Sequence, residues 1–279
     1  MLIQQYKPIP GEIWYHYCSA ESFMSIIKNR TLRLCDIRHM NDKAEMIHGE
    51  QLFYEILGKS AISENKKAAI STIYRAIRER IVLLSMSFSA NGDQLSQWRG
   101  YADDAKGFSI GFEAIYLNDL PVHLFQIEYD QDIQKRLIYE FLSKIENKFP
   151  DNLNIKVKDA DNIAQLQDLF AQMKNDSFSE EKEFRILHAL GEDENGGLFN
   201  SFIKGDYKKY VKNKVDFRLV DNIPAPYTDI FYSLDSGNIP IKEVIIGPKN
   251  HSDISDIEHF LRTNRIQGAI VSKSKSTYQ

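Results

Sequence analysis

The order of elements along this chain predicts an α+β fold, with small mixed or antiparallel sheets and flanking helices. Short apolar or alternating runs bounded by turn residues read as strands, and separate stretches with apolar residues at period 3.6 read as helices. The strands also fall in hairpin-like neighbours and do not alternate regularly with helices, which argues against a doubly wound parallel sheet. The 279 residues, 43% of them hydrophobic, suffice for a sizeable core. With no internal repeat and no low-complexity linker, the chain reads as one compact domain over 1–279, residues 1–12 being an N-terminal extension.

"EIWYHYCS" is a short aromatic strand, and Ser19 caps a helix in which Phe23, Ile26 and Ile27 make one stripe. "TLRLCDI" is a second strand. "MNDKAEMIHGEQLFYEIL" is helical, opened by Asn41 or Asp42, and a helix from Glu64 to Arg80 runs into the strand "IVLLSMSFS". "ANGDQLSQWRGYADDAKG", with Gly92, Gly100 and Gly107, reads as irregular; "FSIGF" and "VHLFQIEY" are strands. Leu137, Phe141 and Ile145 mark a helix, and Leu166, Leu169, Phe170 and Met173 another. "SEEKEFRIL" is a strand with three glutamates at its entrance, Glu180, Glu181 and Glu183. "KVDFRLV", a loop with Pro224, Pro226 and Pro240, the strand "IKEVIIGP", the amphipathic helix "SDISDIEHFLRTN" and the strand "QGAIVSKS" complete the chain.

Composition excludes several function classes. A dispersed net charge of −4 without a long Lys/Arg block does not favour tight nucleic-acid binding. Two cysteines, Cys18 and Cys35, are too few for a disulfide framework and fit a reducing cytosol. No signal peptide and no apolar run of membrane-spanning length is visible, so the reading is a soluble cytoplasmic protein with no membrane partner.

There is no Walker-type loop, no strand-linked G-x-G-x-x-G and no G-x-S-x-G elbow. "IIGPKNHSD" leads a strand into a helix N-terminus, where an anion has room to dock, though a tight Gly247–Pro248 turn is the plainer reading. Asp42, Glu45 and His48, with His39 just before, have helical spacing, but diiron chemistry needs a second such helix, so no metal is expected. Asn41, Asp42 and Glu45 either cap a helix or close one end of a cleft. Ser85, Ser87 and Ser89 share one face of a strand, more often simply the less apolar side of a sheet.

Three further features occur together and in order. His16 lies in an aromatic strand with Trp14 on its side and Tyr15 and Tyr17 on the other. Trp98 and Tyr101 sit in a Gly-flanked loop, where rings stack on planar ligands. Carboxylates with Arg185 close by open a late strand. Each alone has a plainer reading: a satisfied core histidine, a buried aromatic, a solvated strand edge.

"WYHYCSAESFMSIIKNRTLRLCDIRHMNDKAE", "SFSANGDQLSQWRGYADDAKGFSIGF", "EEKEFRI", "IKEVIIGP" and "SKSKSTYQ" resemble the bacterial domain-of-unknown-function family 2971, from about residue 13 to the C-terminus. The aromatic-His strand, the helix ending in "SIIKNRTLRL" and the late E-x-E strand also look similar to the ADP-ribosyltransferase fold, in which two small sheets grip NAD. That second resemblance implies an NAD-consuming protein that modifies an acceptor (protein, nucleic acid or water). By analogy it implies a toxin or phage-defence effector, with room for a protein partner. It implies that His16 holds ribose, Trp98 or Tyr101 stacks on nicotinamide, Arg185 or Arg33 meets the pyrophosphate, and Tyr17 and Ser89 join the nucleotide-binding set. By strand alternation Glu181, Glu183 and Arg185 share a face opposite Phe184 and Ile186. Glu183 is then the catalytic carboxylate, Glu181 its accessory and Glu180 the lip. The rival reading is a non-catalytic nucleotide- or partner-binding module with an aromatic cleft.

Overall fold

The computed structural model describes residues 3–40, 45–146, 157–201, 205–212, 215–234 and 239–278. In chain order the elements are β1 (Ile13–Cys18), α1 (Ala20–Asn29), β2 (Thr31–Asp36), α2 (Glu45–Lys59), α3 (Glu64–Arg80), β3 (Ile81–Ser89) and α4 (Leu95–Tyr101). There follow β4 (Phe108–Glu113), β5 (His123–Gln126), α5 (Gln131–Glu146), α6 (Val157–Phe170), β6 (Glu183–Glu192) and β7 (Leu198–Asn200). The last are β8 (Asp216–Val220), β9 (Ile223–Phe231), β10 (Ile241–Ile246), α7 (Ile254–Thr263) and β11 (Ile270–Lys273).

The fold is mixed α and β, and among the described strands every pair except β10–β11 is antiparallel. The expected small separate sheets are instead one connected sheet, ordered β11-β10-β4-β1-β3-β2-β9-β8, with β6, β5 and β7 branching from β3. The cause lies in β3, which is long enough to take partners on both edges.

The main core lies where Trp14, Phe88, Phe112 and Phe184 meet the apolar stripe of α1 (Phe23, Ile26, Ile27) and Ile257 and Leu261 of α7. Ser19 caps α1 as its sequence predicts, its hydroxyl accepting from Ser22 N. Trp14 stacks on Phe184 at 4.3 Å between centroids, and its Nε1 donates to Glu12 Oε1 at 2.8 Å. Tyr6, expected in a mere extension, packs edge-on against Phe184 and ties its backbone to Leu124. Helices α2, α3, α5 and α6 build a second core around Phe53, Tyr74, Phe141 and Phe170.

Several expectations are corrected locally. Helix α6 stops at Phe170, so Met173 reaches the helical core from the following turn. The irregular stretch contains the short α4, followed by three left-handed residues, Asp103, Asp104 and Ala105. Pro224 and Pro226 lie in β9, not in a loop. Strand β2 pairs only with Tyr227–Phe231, so the prolines occupy the part of β9 where no donor is required on that side. Asp221 and Asn222, both left-handed, turn β8 into β9. The proposed Asn41 or Asp42 cap lies outside the described residues, as does the side chain of Glu45.

Trp14→Ala should destabilise the chain by about 3–5 kcal/mol, since it empties a fully buried ring site and strips Glu12 of a donor. The midpoint of urea unfolding measures this; a loss below about 1 kcal/mol would mean that the aromatic cluster is not the keystone of this core.

Candidate functional site

A β-strand has two hydrogen-bonding edges, and β3 divides one of them. Its first edge is filled by β6 over the full length, from Ile81 opposite Gly191 to Ser89 opposite Glu183. On its second edge, β1 pairs only where Tyr15 faces Ser89, and β2 only where Cys35 and Asp36 face Ser85 and Leu84. Between them, Met86–Phe88 have no strand partner on that edge among the described strands. The His16 ring stands in this gap, and its Nδ1 donates to Ser87 O at 3.0 Å. A carbonyl only accepts, so this bond places the proton on Nδ1 and leaves Nε2 as an acceptor in the neutral ring. Burial lowers the His16 pKa against the opposing effect of that carbonyl, which favours the neutral form.

A cavity of about 410 Å³ opens at this split, within the usual size of small-molecule sites. Its floor is the polar face of β3, Ser85, Ser87 and Ser89. Because odd-numbered residues of β3 register with odd-numbered residues of β6, Arg185 stands beside Ser87 and Glu183 beside Ser89.

These two begin a buried chain of alternating charge. Arg185 Nε and Nη2 grip Glu183 Oε1 and Oε2 at 2.6 and 2.9 Å, while Nη1 donates to Ala171 O at 3.0 Å. Lys174 Nζ reaches Glu183 Oε2 at 3.1 Å and Glu181 Oε2 at 2.6 Å, and Tyr101 Oη donates to Glu181 Oε1 at 3.0 Å. Burial alone would raise the Glu183 pKa, but the Arg185 guanidinium and then the Lys174 ammonium outweigh it and hold the carboxyl well below the usual range. Burial, and next the charge of Glu181, push the Tyr101 phenol up, so it is a donor and not a phenolate. Gln134 locates the lysine backbone: its Nε2 donates to Lys174 O and Glu128 O, while its Oε1 lies 2.9 Å from His48 Nε2.

The remaining walls come from α1 (Glu21, Ser22, Ser25), β2 (Thr31, Arg33, Cys35) and the strands beyond it (Asp229, Arg218). Arg33 is committed to Asp229 by two bonds of 2.8 and 3.0 Å and lies over the Tyr227 ring at 4.0 Å. Ser85 is 1% exposed, and its hydroxyl has no hydrogen-bond partner among the described residues. Such an unmet buried hydroxyl costs about 1–3 kcal/mol.

The fold therefore brings together most of the residues singled out in the sequence. His16, Tyr17, Ser89, Tyr101, Arg33, Arg185, Glu181 and Glu183 all line the cavity. Trp98 does not. It faces inward from α4, fully buried against Tyr17, Ala102 and Ala105, with its Nε1 on Asp93 Oδ1 at 2.7 Å, so Tyr101 alone of the two rings borders the cavity. The strand alternation drawn through Glu181 is also corrected. Glu181 ends a 3-10 turn, Asp176–Glu181, and Lys182 is left-handed, so β6 begins at Glu183; Lys174, not the pleat, joins the two glutamates. Glu180 is exposed, as expected of a lip residue.

Sequence reasoning missed Lys174, Arg218 and Asp229. Lys174 carries no local signal: a lysine in a turn after α6 reads as solvated, and its partners Glu181, Glu183 and Gln134 are set by the tertiary fold. Arg218 was read only as part of a strand, although its alternation with the apolar Phe217 and Leu219 hinted at a distinct face. Elsewhere, Asn250 N bonds Gly247 O at 2.9 Å in a turn, and Lys249 is paired with Asp104. Among the described residues no cluster of His, Cys, Asp or Glu is arranged to hold a metal, and no helix is long and apolar enough to cross a membrane.

Residues 97–186 match a family described as "Protein of unknown function (DUF2971)". The matched segment is narrower than the resemblance seen along the sequence. It includes Tyr101, Lys174, Glu181, Glu183 and Arg185, whereas His16, Ser85 and Arg33 lie outside it. No curated protein matches the chain. No solved structure matches it.

Lys174→Met should cost about 3–5 kcal/mol in urea unfolding, because it leaves two buried carboxylates facing each other. The sign with pH follows from Glu183, whose folded pKa is depressed. Its contribution is fully present above the unfolded value of about 4.3 and is lost as pH falls towards about 2. In Lys174→Met the acid limb of the stability profile should move to higher pH; an unmoved limb would show that the lysine does not hold Glu183 ionised.

Proposed function

We propose that the cavity binds a nucleotide of the NAD type and that the chain consumes it, transferring ADP-ribose to an acceptor or to water. The observation that supports this most is the Glu183 carboxylate, held ionised at a cavity wall in company with a neutral His16 and the Tyr101 ring. The bond broken is the one between nicotinamide nitrogen and ribose carbon. Nicotinamide leaves with the electron pair, positive charge grows on the sugar, and the acceptor supplies a new pair and releases a proton. A fixed carboxylate beside that sugar stabilises the developing charge. Glu183 suits a fixed charge better than a proton carrier, because Arg185 occupies both its oxygens. His16 Nε2 is an acceptor for a ribose hydroxyl, and Tyr101, half-exposed, offers a stacking face. A role in bacterial conflict is an analogy drawn from the resemblance alone.

A second reading, a nucleotide-binding module without turnover, has its own observation. Two carboxylates and two cations compose the buried chain, so its net charge is zero and its field in the cavity is correspondingly weak.

Nicotinamide release from NAD by the purified chain separates them, with Glu183→Gln and His16→Ala alongside and a melting curve for each. Release by wild type, reduced at least about 100-fold by Glu183→Gln in a variant that still melts cooperatively, is the expected result. An NAD-dependent rise in melting temperature without release selects the binding module. Neither release nor shift would remove NAD from the account.

A further inference from the structure

Most of the charged groups that line the cavity are already paired, while two of its polar side chains, Arg218 and Ser85, have no partner among the described residues. Among the described residues, four Lys or Arg side chains line it. Arg33 is bound to Asp229, Lys174 to both glutamates and Arg185 to Glu183. Arg218, on β8, is exposed and has no ion-pair partner among the described residues. Its charge reaches into the site, since after burial it is the largest influence on the Cys35 thiol. In the floor, on β3, stands Ser85, buried and with its hydroxyl unmet by any described residue. A ligand group that bonds this hydroxyl would meet a hydrogen-bonding need that no described residue meets.

The two groups are held at a definite separation. Ser85 faces Cys35, Cys35 faces Tyr227, and Tyr227 faces Asp216, two residues before Arg218. Three inter-strand steps of about 4.8 Å put β3 and β8 roughly 14 Å apart at the backbone, less the reach of the arginine back towards the cavity. A free phosphate touches only one of the two groups, as does a lone sugar; a nucleoside phosphate touches both.

We infer that Arg218 and Ser85 set the specificity of this site, Arg218 taking the phosphate of an extended nucleoside phosphate and Ser85 an uncharged hydroxyl or amide at its far end. This rests on the nucleotide reading of the cavity and adds to it the residues that select the ligand. Arg218, not Arg33 or Arg185, is then the phosphate contact, because those two are spent on carboxylates.

Titration calorimetry of the full chain at low salt with NAD, ADP-ribose and adenosine tests it. Arg218→Gln should weaken NAD and ADP-ribose at least about tenfold and leave adenosine unchanged. Ser85→Ala should weaken binding by about fivefold while raising the melting temperature of the unliganded chain by about 2 °C, because the unmet hydroxyl is gone. A serine with a merely structural role would instead lower that temperature. NAD bound equally by wild type and Arg218→Gln overturns the assignment and leaves the NAD reading standing. ADP-ribose bound with both dependences, but NAD not bound, upholds the assignment and removes NAD. Binding of none of the three overturns both.

Discussion

Two strands compete for one edge of β3, and the site depends on how they share it. If β1 or β2 had paired along that whole edge, the backbone of Ser87 would have been consumed by a ladder and the sheet would have closed. Instead β1 holds the Ser89 end and β2 the Ser85 end, with α1 linking them. A carbonyl stranded in such a gap needs a donor, and His16 provides it without filling the opening. One side chain thus satisfies the backbone, fixes its own tautomer and becomes a cavity wall. The wide polar space at the split is a consequence of strand pairing more than of any loop.

The second constraint is electrostatic. Glu183, Arg185 and Lys174 are almost completely buried, and charges so placed persist only when paired. The bidentate Arg185–Glu183 contact, Lys174 bridging to Glu181 and the Tyr101 hydroxyl at the end form one continuous network. Because Gln134 ties the Lys174 backbone to the loop after β5 and contacts His48 of α2, the helical layer helps position a group in the cavity. The helices outside the sheet are therefore coupled to the site through backbone carbonyls and packing. The unmet hydroxyl of Ser85 and the exposed guanidinium of Arg218 stand apart from this network.

Much of the fold was legible in the chain. Apolar stripes located α1, α5, α6 and α7, Ser19 announced its cap, and the alternating serines of β3 marked a polar sheet face that became the cavity floor. The errors have local physical causes. Parity was carried through Lys182, whose left-handed backbone breaks the alternation on which parity rests. Pro224 and Pro226 suggested a loop because a strand is expected to need every donor, and β9 does not need them beyond the reach of β2. Trp98 and Tyr101 were equal candidates until α4 turned one ring into the core and left the other at the opening.

By itself, the sequence determined most of the element types, the apolar faces that must be buried and many of the residues that line the cavity. Those follow from interactions over a few residues: turn chemistry, capping, and the periods of helix and strand. Only the tertiary structure decided that His16, Ser87 and Arg185 would meet, that Lys174 would stand between two glutamates, and that Arg218 would share a cavity with Ser85, 133 positions away in the chain. Such meetings depend on the register between distant strands and on which edge each one occupies, and neither is written in any local stretch of the chain.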